Sequence, residues 1–63
     1  MPKYAHVIVR LTEEDTVVIL SRVAKALRRG GVSESIVEAF REEATAGDYD
    51  HLLQVVTRWV SVE

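Results

Sequence analysis

Apolar and polar residues alternate at both ends of this chain, and between the ends apolar residues recur every three or four positions. Near the start, Ala5-His6-Val7-Ile8-Val9-Arg10-Leu11 is β-branched and follows a loose two-residue rhythm. At the finish, Arg58-Trp59-Val60-Ser61-Val62-Glu63 takes up that rhythm again. A two-residue period puts successive side chains on opposite faces, so each end can offer one apolar row to a shared core. The pattern predicts an α+β fold in the order β-α-α-α-β, with residues 1–63 forming a single small domain. The small sheet would be built from the N- and C-terminal strands. No glycine or proline separates the third helix from Val60-Ser61-Val62, so a helix running to residue 63 competes with the closing strand.

Three helices fill the middle. Thr12 can cap the first, with Asp15 three residues on in a box-like arrangement, and Glu13, Glu14 and Asp15 suit the positive end of a helix dipole. Val17, Leu20, Val23, Ala24 and Leu27 then form a stripe expected to be buried, and Gly30 or Gly31 supplies the left-handed stop. The second helix starts at Ser33, with Ser35 as a rival cap and Val32 placed to staple onto Val37. Ile36, Val37, Phe40 and Ala44 are expected to face inward. Gly47 ends that helix, Asp48 caps the third, and Leu52, Leu53, Val56 and Trp59 carry its apolar face.

Size changes the picture. At 63 residues the surface buried on folding barely offsets chain entropy, and short chains usually recruit disulfides, a metal or a partner subunit. Cysteine is absent, and the two histidines, His6 and His51, share no ligand-spaced cluster. Self-association is the economical remaining support. An isolated strand also leaves a row of unpaired backbone groups, so the expectation is a homo-oligomer whose sheet is extended across copies.

The formal net charge of −2 gives no overall field to draw in nucleic acid or an anionic membrane. No apolar run approaches the ~20 residues of a membrane span. Met1-Pro2-Lys3-Tyr4 leads into charged sequence rather than an apolar signal region, so a cytoplasmic location is expected.

Charge is unevenly placed, however. Arg22, Lys25, Arg28 and Arg29 fall within one eight-residue stretch, and Arg22, Lys25 and Arg29 recur at helical spacing on one face. That face is either a site for phosphate, nucleic acid or an acidic partner, or a solvated surface that complements the helix dipole. Arg10 on the first strand and Trp59 near the end complete the candidate binding residues, Trp59 being equally suited to the core and to a subunit contact. Asp48-Tyr49-Asp50-His51 resembles acid–base chemistry, but its acidic residues belong at a helix start for electrostatic reasons alone. Ser33 and Ser35 have no neighbouring histidine, and Gly30-Gly31 closes a helix instead of opening one over a phosphate. No catalytic, metal or cofactor residues are assigned, and a non-enzymatic protein is expected.

Two resemblances add context. Residues 22–31, followed by Gly47-Asp48-Tyr49-Asp50-His51-Leu52-Leu53-Gln54 and Arg58-Trp59-Val60-Ser61-Val62-Glu63, resemble a group of very short proteins of actinobacteria and their phages. That group has no assigned activity, so the resemblance implies a phage or actinobacterial setting, in which a host protein or ligand is the expected target. Val7-Ile8-Val9-Arg10-Leu11, a helix, and then Gly31-Val32-Ser33-Glu34-Ser35 are similar to ribbon–helix–helix repressors. That resemblance implies strands that read DNA through His6, Ile8 and Arg10, with Ser33 near the phosphate backbone. The leading expectation is a small interaction protein; the alternatives are this DNA-binding regulator and a binder of a phosphorylated small ligand through Arg22, Lys25 and Arg29.

Overall fold

The computed structural model describes residues 1–11 and 15–63. Its elements are β1 (Tyr4–Val9), α1 (Thr16–Arg29), α2 (Glu34–Ala44), α3 (Tyr49–Trp59) and β2 (Val60–Val62). The order is β-α-α-α-β, as the hydropathy pattern predicts. β1 and β2 run parallel, which requires all three helices to lie in the connection between them. Val9 stands opposite Val62 and Ile8 opposite Ser61, whereas the next pairing, Tyr4 with Val60, is reached through an irregularity in β1. The Lys3 amide donates to the Arg58 carbonyl at 2.8 Å, and the Glu63 amide donates to the Val9 carbonyl at 2.9 Å, which fastens both ends of the ladder. Between them the Ser61 hydroxyl donates to the Ala5 carbonyl at 2.8 Å.

The helices start and stop on local chemistry. Asp15 caps α1, accepting a hydrogen bond from the Val18 amide at 3.0 Å. The alternative cap, Thr12, lies outside the described residues, as do Glu13 and Glu14. At the other end of α1, Gly31 takes φ +87° while the Val32 amide reaches the Leu27 carbonyl and the Gly31 amide reaches that of Arg28. These two crossed bonds satisfy carbonyls that the helix would otherwise leave open. Asp48 caps α3 through the His51 amide at 2.9 Å. Ser33 stands at the cap position of α2, but its hydroxyl lies 3.3 Å from that of Ser35 and no side-chain cap forms.

The core draws on every element: Val7 and Val9 from β1; Ile19, Leu20, Val23, Ala24 and Leu27 from α1; Val37, Phe40 and Ala44 from α2. Leu52, Val55, Val56 and Trp59 from α3 and Val60 from β2 complete it. Two positions differ from the expected stripe. Val17 is 73% exposed, and Ile19 is buried in its place. With helical residues set about 100° apart, Val17 falls roughly 90° from the centre of the buried arc, and the first turn overhangs the core. Ile36, at the margin of the buried face of α2, is likewise exposed.

Trp59 belongs to the core of the single chain. It stacks on Tyr4 with centroids 5.9 Å apart, meets Phe40 edge-on at 5.5 Å, and lies beneath the Lys3 ammonium at 4.3 Å. Its indole N–H donates to the Glu43 carboxylate. The radius of gyration, 10.3 Å, is close to the ~10.6 Å of a compact domain of this length.

Candidate functional site

β1 alternates as its sequence rhythm requires: Val7 and Val9 turn into the core, and His6, Ile8 and Arg10 turn outward. α1 is buried along one arc and carries Arg22, Lys25 and Arg29 on its far side, about 160° from the centre of that arc by helical geometry. β1 packs against α1, and a groove of about 420 Å³ between them is lined by residues 6–9 of β1, by Arg10 just past its end, and by Arg22, Lys25, Ala26, Arg29 and Gly30. No residue of β2 lines it, so the groove runs along the edge of β1 away from its paired neighbour. A shallower extension, formed by Val17, Val18 and Ser21, continues it past the same three cations.

The close packing at one end of this groove depends on Gly30. A β-carbon there would lie 2.7 Å from the Val7 Cγ2 atom and 3.3 Å from the His6 Nε2 atom. With only hydrogen at that position, β1 crosses directly over the end of α1, and the His6 ring donates from Nε2 to the Gly30 carbonyl at 3.3 Å.

Half of the eight basic residues thus gather around one groove: Arg10 just past the end of β1, and Arg22, Lys25 and Arg29 from α1. Lys25 and Arg29 make no salt bridge among the described residues. Arg10 approaches Glu63 at 3.9 Å with both side chains largely exposed, a contact that contributes little in water. Ile8, 60% exposed, adds an apolar surface to the wall.

The other two candidate residues lie elsewhere. Arg28 sits about a quarter-turn away from the groove face of α1, by helical geometry. Its guanidinium grips Glu34 as a fork, with Nε to Oε2 at 2.9 Å and Nη2 to Oε1 at 2.6 Å. Those hydrogen bonds hold the Glu34 carboxyl below its ordinary value and raise the Arg28 guanidinium in turn. Trp59 is 5% exposed and contributes to packing rather than to an open surface.

Val17 and Val18 were assigned no surface role by the hydropathy pattern, yet both flank the cations. Helical spacing sets Val17 about 90° from the centre of the buried arc and Val18 nearly opposite it, so both fall outside the stripe once Ile19 is counted in it. Among the described residues, Ser33 and Ser35 make no hydrogen bond with His6 or His51. His51 instead donates from Nε2 to the Glu43 carbonyl at 2.8 Å, tying the start of α3 to the end of α2. Among the described residues, no group of three or more His, Asp or Glu side chains could hold a metal ion. No helix among them is long and apolar enough to cross a membrane.

Such a groove can recognise negative charge through several cations, offer backbone groups along a strand edge, and cover apolar atoms with Ile8. No protein-family model, curated protein or solved structure matches the chain.

Proposed function

We propose that this is a small non-enzymatic binding protein whose ligand-facing surface is the cationic groove between β1 and α1, and that its target is an anionic partner. The observation that carries this reading is the convergence of Arg10 with Arg22, Lys25 and Arg29, which brings cations from distant parts of the sequence around one concavity. A solvated charge run on a helix needs no strand contribution, whereas recognition of an anion gains from charges set on two walls. The resemblance to short phage and actinobacterial proteins supports a host protein or ligand as the target.

The test is titration at low and moderate salt with a panel of acidic peptide, tripolyphosphate, nucleotides and duplex DNA, using the native chain and the double variant Lys25→Glu/Arg29→Glu. At least one probe is expected to bind, to weaken as salt rises, and to lose most of its affinity in the double variant. Binding of every probe unchanged by charge reversal, or of none at low salt, removes the reading. Preference for duplex DNA would favour the ribbon–helix–helix alternative, in which His6, Ile8 and Arg10 face the bases.

Self-association is a second reading, favoured by the edge of β1 that no strand among the described residues pairs and by the exposed Ile8. Sedimentation equilibrium showing a single 7.1 kDa species across micromolar concentrations would eliminate it.

A further inference from the structure

We infer that the groove receives an extended acidic segment of a partner protein, which adds to the free edge of β1 as a third strand. The inference rests on the cationic-groove reading and names the class of its ligand.

Strand geometry comes first. The Val9 carbonyl is engaged by the Glu63 amide, toward the β2 side. Backbone groups of neighbouring residues point to opposite edges of a strand, so those of Ile8 point away from β2. The groove lies along that opposite edge, over residues 6–10, and its length suits roughly five residues of extended chain, about 16 Å. A chain laid there would meet backbone donors and acceptors that no strand among the described residues pairs, of the kind that support strand addition.

Charge decides between occupants. A second copy pairing its own β1 on this edge would bring two sets of Arg10, Lys25 and Arg29 side by side, and like charges oppose that contact. A compact phosphate would be held by the helix cations without needing the strand edge or Ile8. An extended segment alternating acidic and apolar residues matches all three features: carboxylates toward the cations, apolar side chains over Ile8, and backbone on the edge.

The experiment uses a short peptide alternating Glu and Val, two versions of it N-methylated at alternate residues in opposite phases, and tripolyphosphate. Affinity is measured by calorimetry and amide shifts by NMR. The parent peptide is expected to shift the Ile8 and Arg10 amides. N-methylation in one phase should weaken it at least ~tenfold, while the other phase has little effect, because strand addition uses the N–H groups of alternate residues. The double variant Lys25→Glu/Arg29→Glu, with its fold verified by circular dichroism, should lose at least ~tenfold in affinity. If both methylated peptides bind as the parent does, or if tripolyphosphate binds and no peptide does, strand addition is overturned while the groove reading stands. If nothing binds, both fail. If the native chain sediments as a dimer that buries the β1 edge and excludes the peptide, the edge belongs to a second copy and the inference is overturned.

Discussion

Gly30 and Gly31 stand side by side at the end of α1 for different reasons, and alanine substitution separates them. Gly31 holds φ +87° with open space around its α-carbon, so Gly31→Ala meets backbone strain alone and should cost roughly 1–2 kcal/mol. Gly30 has an ordinary φ of −79°, but its hydrogen faces Val7. Gly30→Ala should therefore cost about 1–3 kcal/mol through crowding, and Val7→Ala should relieve part of that penalty. Urea denaturation of the single and double variants would show this coupling for Gly30 and none for Gly31. The sequence identifies the glycine pair as a helix stop, but which member turns left-handed depends on where β1 crosses, and only the tertiary structure supplies that. At the same end of α1, Glu34 titrates below its ordinary value because Arg28 grips it. Its contribution to stability is present above the ordinary glutamate range and is lost as pH falls through the lowered value. NMR titration should show the Glu34 midpoint move up toward the ordinary value in Arg28→Met, with no change of fold.

Among the elements, the start of α3 at Asp48 was legible, whereas α1 begins on Asp15 rather than on the expected Thr12, and the final strand was the least legible. Asp15 and Asp48 are short acidic side chains followed by helical periodicity, and both act as caps. Asp48→Ala should cost about 0.5–2 kcal/mol in thermal or denaturant unfolding, since the His51 amide loses its acceptor. Ser33→Ala should cost less, because the Ser33 hydroxyl makes no cap hydrogen bond. The transition from α3 to β2 has no glycine or proline to mark it. Val60 closes the helix through its amide to the Val56 carbonyl while adopting extended angles, φ −135° and ψ 163°. Val60 and Val62 are β-branched and favour a strand, and pairing with β1 decides the outcome. The cationic face of α1 was legible from spacing alone. Arg10 was a candidate on its own, but its meeting with the helix cations was not legible, because strand-to-helix packing sets which residues meet across a gap in sequence.

For the molecule as a whole, the sum of charges conceals their arrangement. A net charge of −2 suggests a surface with no preference, yet half of the cations border one groove while the rest of the chain carries ten carboxylates. Association with an anionic partner should therefore be governed by the local field. Its rate should fall steeply between low and physiological ionic strength, whereas folding stability should change little, a contrast that stopped-flow binding and thermal unfolding in the same salt series would reveal. The core is equally a property of the entire chain, since Phe40, buried among all the layers, comes from the middle of the sequence. Phe40→Ala should cost about 3–5 kcal/mol, enough to unfold a domain this small at physiological temperature. Trp59 gives that integrity an optical consequence. The chain has one indole, and it is touched by Lys3 and Tyr4 from the beginning, Phe40 and Glu43 from the middle, and its own turn near the end. Its fluorescence spectrum is thus a built-in gauge of whether those three stretches are together, and no dye or label is needed to watch the protein assemble or come apart.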